Sequence, residues 1–245
     1  MEFAQLKRNL KKDHSLLKTK IKLALLGDTP TQLLAQALKG TGYEMGVNFD
    51  IFESDYDQID QQILDPTSEL YQSSSDYIII FPSVQKLQYK FYKTPVENRH
   101  NLAAEYLGYI TNLAQNINDN QQAKIILFNF PEIQDSVFGN YANKTEMSFL
   151  YQIRRINIGL MDLSRDIKNL FINDLASLQA DHGNDKVIDP KLFTNTGIAF
   201  TLEFIPLVVK GVTDIILAIH GQFKKCLILD LDNTTWGGII GDDGM

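Results

Sequence analysis

Ile21-Lys22-Leu23-Ala24-Leu25-Leu26-Gly27-Asp28 decides the fold: an apolar run that ends at a glycine and a carboxylate. The run is too short for a globular helix and passes directly into turn residues, so it reads as a buried strand followed by a tight turn. Four further runs have the same character. They are Val47–Glu53, Tyr77–Phe81 with its three consecutive isoleucines, residues 124–130 ended by Pro131, and a weaker run over 170–175. Residues 32–39, 58–71, 97–117 and 146–168 lie between them, with apolar side chains spaced by three and four, the period of a helix. Strands separated by helices imply a parallel sheet covered on both faces.

The count and order of these elements predict an α/β, three-layer, flavodoxin-like doubly wound sheet preceded by a helix. With 245 residues, 44% hydrophobic, the chain can bury a substantial core, and its length allows one domain or one domain plus part of another. One cysteine excludes a disulfide framework and a cysteine-rich zinc site. A net charge of −7 argues against a general nucleic-acid binder. The charge is uneven, because residues 1–22 carry seven basic side chains against Glu2 and Asp13. Leu6, Leu10, Leu16 and Leu17 are interrupted by lysines there, which fits an amphipathic helix rather than a signal peptide. That helix reads as a solvated face, with docking to an acidic partner as the alternative. No stretch approaches a membrane span, and the expected setting is soluble, reducing and cytoplasmic.

A helical stretch over 200–222 is followed by the apolar run 226–229, then Asp230-Leu231-Asp232-Asn233-Thr234. The expected boundary falls near Gly221, giving a basic helix over 1–20, an α/β domain over 21–221, and the opening of a second domain over 222–245. Side chains alternate along a strand, so Asp230 and Asp232 emerge on one side at its carboxyl end, where α/β sheets bind ligands. Two adjacent carboxylates repel unless a proton or cation stabilises them, and Mg²⁺ with a phosphoryl group meets that requirement. One carboxylate can attack phosphorus while the other handles the leaving-group proton. The bland alternative is an acidic loop that merely ends a strand.

Residues 225–245 resemble the opening of the haloacid dehalogenase (HAD) superfamily domain in FkbH-like proteins, departing at Thr235, where that family usually has leucine. The resemblance implies Asp230 as nucleophile, Asp232 as general acid and base, and both as Mg²⁺ ligands. Asn233 and Thr234 would bind phosphate, and Trp236, Gly237 and Gly238 would begin a mobile flap. It further implies an acyl-phosphate substrate and transfer of a glyceryl-type group to an acyl carrier protein in polyketide-type biosynthesis. The Ser or Thr, Lys and second acidic motif of such an enzyme fall downstream of the first pair, and the sequence stops 11 residues after Thr234. This fragment is therefore expected to be inactive alone and not to bind Mg²⁺ tightly.

Residues 1–220 resemble the SGNH-hydrolase-like domain found upstream of that HAD unit. The SGNH nucleophile turn is Gly-Asp-Ser, and here it is Gly27-Asp28-Thr29. Followed by Pro30, Thr31 and Gln32, the turn reads as a helix start, with Thr29 as N-cap, Pro30 in the first helical position and Gln32 closing a capping box. The other reading makes Thr29 an esterase nucleophile. The stretch Phe81-Pro82-Ser83-Val84-Gln85 lacks the oxyanion-hole Asn of the SGNH pattern, and none of His14, His100, His182 or His220 has an Asp three residues before it. Asp189 occupies the expected place but is followed by Pro190, Lys191 and Leu192. Without a base a hydroxyl is a poor nucleophile, so this domain is expected to recognise substrate or carrier protein without catalysis. Cys226 reads as a buried strand residue, and Asp181-His182 as a polar loop pair.

Overall fold

A computed structural model describes residues 2–133 and 136–222; the tail carrying Asp230, Asp232, Asn233, Thr234, Trp236, Gly237, Gly238 and Cys226 lies outside the described residues. The described elements run α1 (Phe3–Asn9), β1 (Thr19–Gly27), α2 (Gln32–Glu44), β2 (Val47–Glu53), α3 (Ile59–Leu64), α4 (Glu69–Ser73), β3 (Tyr77–Phe81) and α5 (Val84–Lys93). They continue with α6 (Leu102–Asn120), β4 (Lys124–Phe128), α7 (Phe149–Asp166), β5 (Leu170–Asn173), α8 (Leu175–His182), α9 (Asn184–Val187), α10 (Pro190–Thr196) and α11 (Ile205–Ile219). Two compact units divide the chain, Met1–Ile215 and Ile216–Met245, and the sheet belongs to the first.

The five strands are all parallel, in the order β2-β1-β3-β4-β5. Leu23–Gly27 of β1 and all of β3 are buried, as expected for strands covered on both faces. The order reverses direction at β1. Right-handed crossovers then place α2 on one face and α3, α4, α6 and α7 on the other. The crevice between the carboxyl ends of β1 and β3 is the topological switch point, where sheets of this type bind ligands.

The predicted doubly wound sheet is therefore present, with differences that have local causes. The predicted helix over 58–71 is two short helices, because Asp65-Pro66 cannot continue a helical turn. The predicted helix over 97–117 begins later, after a 3-10 turn at Val96–Asn101. The basic helix is only seven residues long. Asp13 Oδ1 accepts from the Ser15 N–H and turns the chain, Leu16 is 90% exposed, and Lys20 lies in β1, where it pairs with Asp50 at 3.0 Å. What holds α1 is Leu6, whose carbonyl oxygen would lie 2.4 Å from any Cβ at Gly40 of α2. That close approach explains the glycine at position 40, and α2 runs past the predicted end at residue 39 through Gly40, Thr41 and Gly42. Among the described residues no helix is long and apolar enough to cross a membrane.

Candidate functional site

The turn after β1 is tied to the end of β3 by one carboxylate. The Asp28 N–H donates to the Phe81 carbonyl at 3.3 Å, and Asp28 Oδ1 accepts from the Ser83 N–H at 2.9 Å. Gly27 is required beneath it, since a Cβ there would lie 2.4 Å from Thr31 Cγ2. The Gly27 carbonyl accepts from the N–H of Asp57, a residue in the left-handed region at φ 61°. Such a conformation is unusual for a non-glycine residue and clusters at functional rims.

The helix start expected at this turn is displaced. Helix α2 begins at Gln32 with Thr31 as N-cap, not Thr29, and no side chain caps it. The Thr31 hydroxyl donates instead to Glu53 Oε1 at 2.5 Å, a bond to the end of β2 that competes with capping. Thr29 is 2% exposed and its Oγ1 has no hydrogen-bond partner among the described residues, so no imidazole is bonded to it there. Residues 197–204 crowd the same turn: Gln85 Nε2 donates to the Ala199 carbonyl at 3.1 Å, and Phe200 stacks on Phe81 at 5.0 Å. Asp189, at the place of an SGNH triad acid, has its carboxylate occupied by the N–H groups of Lys191 and Leu192, capping α10. Ser83, in the stretch lacking an oxyanion-hole Asn, caps α5 by accepting from the Lys86 N–H at 3.4 Å. Asp28, Ser83 and Asp189 thus each accept hydrogen bonds from backbone N–H groups.

Beside the buried threonine, on the α6 side of the turn, a cavity of about 340 Å³ opens at the switch point. Asp28 and Ser83 from the strand ends, Lys86 from α5, Tyr106 and Tyr109 from α6, and Phe130 after β4 line it. Burial pushes the Asp28 carboxyl up to about 6, against the pull of its Ser83 bonds and of the nearby Lys86 charge. Burial alone would lower Lys86, but its bond to Asp57 at 2.8 Å, its contact with Tyr56 and the Asp28 charge raise it. The ammonium sits 4.4 Å above the Tyr56 ring. Tyr109 donates to Asp60 Oδ1 at 2.6 Å; burial, that bond and the surrounding carboxylates hold its phenol protonated far above the usual range. Burial is also the chief cause that raises the Tyr106 phenol well above its ordinary value, and its hydroxyl has no partner among the described residues. A larger cavity of about 630 Å³ beside Glu132 and Gln179 contains no such unpaired buried group among the described residues.

None of Lys86, Tyr106, Tyr109, Asp57 or Asp60 stands out in the sequence as a site residue. The faint signal was the pair Tyr106 and Tyr109, one helical turn apart on the otherwise aliphatic inner face of α6.

A five-stranded parallel sheet in this order, with a tight turn after β1, is the fold of SGNH-type acylhydrolases. The lipase/acylhydrolase from Enterococcus faecalis is 16% identical with TM-score 0.52, covering 85% of this chain and 100% of its own. A catalytic mutant of Axe2, an acetylxylan esterase from Geobacillus stearothermophilus, is 10% identical with TM-score 0.53, covering 85% and 98%. At these identities the likeness concerns the fold alone. No curated protein matches. Residues 22–217 match the model of the FkbH N-terminal domain, so the chain belongs to the FkbH family. The N-terminal part of BF1531 from Bacteroides fragilis, containing a phosphatase domain and complexed with Mg, is 43% identical with TM-score 0.92. That match covers all of this chain, which spans 64% of the longer one.

Among the described residues no group of three or more His, Cys, Asp or Glu side chains could hold a metal. Asp230 and Asp232, the expected Mg²⁺ ligands, lie outside the described residues.

Proposed function

We propose that this chain is the recognition domain, with the leading catalytic segment, of an FkbH-like HAD enzyme that removes phosphate from an acyl phosphate and passes a glyceryl-type group to an acyl carrier protein. The observation that carries the non-catalytic share is the buried Thr29 hydroxyl without a hydrogen-bonded base. A hydroxyl in that state has neither the access nor the proton acceptor a nucleophile needs. Family membership and the phosphatase-domain relative support the rest.

In this reading the carrier-protein thiol attacks the carbonyl carbon of the acyl phosphate and displaces phosphate. Asp230 attacks phosphorus of an ester phosphate on the same small molecule and becomes the phosphoaspartyl group. Asp232 protonates the departing alcohol oxygen and later takes a proton from the water that hydrolyses that group. Asn233 and Thr234 hold the phosphoryl oxygens, and Trp236, Gly237 and Gly238 belong to the flap that excludes water. Bound Mg²⁺ supplies charge neutralisation for the carboxylates and the phosphoryl oxygens. The carrier protein and the phosphorylated small molecule are the proposed partners, and the cytoplasm the proposed location. The test is release of the ester phosphate from such an acyl phosphate by the protein extended past Met245, with Asp230→Asn beside it. Loss of turnover in the variant is expected. Retained turnover would remove Asp230 as nucleophile.

A further inference from the structure

We infer that the outer face of helix α5 is the docking surface for an acidic carrier protein, seated beside the mouth of the switch-point cavity. The inference rests on the carrier-protein reading above and adds the surface. Residues 84–93 hold Lys86, Lys90 and Lys93 and no carboxylate, in a chain whose net charge is −7. Residues 86, 89, 90 and 93 are spaced by three and four and share one face of the helix. Lys86 is paired with Asp57, whereas Lys90 and Lys93 have no carboxylate partner among the described residues. The Lys93 ammonium lies 4.3 Å from the centroid of the Tyr89 ring, and Tyr89 is 63% exposed. After the helix, Val96 is 57% exposed, and Arg99 donates through Nε and Nη2 to the carbonyls of Thr94 and Tyr92, each at 3.0 Å. Those bonds fix the guanidinium on the backbone and leave its charge without a carboxylate among the described residues.

Exposed aromatic side chains anchor protein interfaces, and unneutralised cations around them select a partner of opposite charge. Three such cations neutralise few phosphates, which is a poor footing for a nucleic acid. A membrane surface would need an apolar helix face to insert, and Val84, Leu87 and Phe91 of α5 are buried in the domain. An acidic protein needs neither. Lys86, Leu87 and Lys90 also line the cavity, so a protein seated on α5 has its tethered acyl group beside that opening. A second basic surface, Lys7, Arg8, Lys11 and Lys12, lies at the other end of the sheet. Asn9, beside them, donates to Glu44 Oε2 at 3.0 Å, in the last turn of α2 before β2 begins. That surface is remote from the switch point and serves as a charge-matched control.

The test is calorimetric titration of the 245-residue chain with a holo acyl carrier protein of bacterial fatty-acid synthesis as the probe. Heparin and phosphatidylglycerol vesicles are titrated beside it as the other polyanions. Saturable binding of the carrier protein, weakened by added salt, is the expected result. Lys90→Glu combined with Lys93→Glu should weaken it at least about tenfold, because two attractive contacts become repulsive. Tyr89→Ser leaves the charge alone and should weaken it about three- to tenfold. Lys90→Arg with Lys93→Arg should bind as the parent does. Lys7→Glu with Lys11→Glu changes the net charge equally at the far end of the sheet and should alter affinity less than about twofold. Equal losses in the two charge-reversed variants, unchanged affinity after reversal at Lys90 and Lys93, or tighter binding of heparin or vesicles than of the carrier protein would overturn the α5 surface and leave the carrier protein as partner. No binding of the carrier protein by the parent chain would remove the surface and the partner together.

Discussion

Asp28→Asn should make the protein more stable at neutral pH and leave it unchanged in acid. Burial raises the folded-state value of this carboxyl from 3.8 to about 6, while the unfolded chain keeps the ordinary value. Between those two values the folded state binds the proton that the unfolded state has released, so stability falls as pH rises through the window. Below it both states are protonated and the group contributes no difference. Above it the full cost of burying the charge is present, a shift worth about 3 kcal/mol. Asparagine stays neutral throughout and its side-chain oxygen can still accept from Ser83, though its amide needs partners of its own. The expected gain is about 1–3 kcal/mol near pH 8 and none near pH 3.5, or about 2–4 °C in Tm per kcal/mol for a chain of this size. Lys86 and Asp57 face the same carboxyl with opposite signs, and Tyr106 stays protonated across the range. Urea denaturation of both proteins from about pH 3.5 to 8 measures the difference. A gap independent of pH, or one that widens in acid, would refute the reasoning.

Tyr106→Phe removes an unpaired buried hydroxyl and should raise stability by about 1 kcal/mol in the ligand-free chain, read by thermal denaturation. Gly40→Ala places a Cβ 2.4 Å from the Leu6 carbonyl oxygen and 2.9 Å from its carbon, so α1 must shift at a cost of about 1–3 kcal/mol. Gly108→Ala on α6 meets nothing within 4 Å and should instead stabilise by about 0.5–1 kcal/mol, which makes the two variants a matched pair in one denaturation series. Asn129 accepts from the N–H groups of Leu175 and Ala176 and donates to Asp174 Oδ1 at 2.7 Å, tying the end of β4 to the start of α8. Asn129→Ala should cost about 2–4 kcal/mol in the same assay, since buried N–H groups lose their acceptor.

The sheet was legible because parallel strands buried on both faces leave short apolar runs such as 21–26 and 77–81, and turn residues mark their ends. Helix α5 is hidden behind a second pattern: Pro82-Ser83 reads as a failed oxyanion stretch, although Ser83 before Val84, Leu87 and Phe91 is a capped amphipathic start. Local spacing places the cap of α2 at Thr29 and the structure places it at Thr31, because the Thr31 hydroxyl's bond to Glu53 and the contact of residues 197–204 are tertiary facts that spacing does not carry. The cavity was illegible for the same reason. Asp28, Lys86 and Tyr106 come from three elements that meet only once the order β2-β1-β3-β4-β5 is set.

The most direct test of the central claim, that this SGNH-type domain recognises without catalysing, is hydrolysis of short-chain p-nitrophenyl esters by the 245-residue chain and its Thr29→Ala variant. The expected result is a rate at the buffer background for both. Hydrolysis well above background that disappears in Thr29→Ala would contradict it.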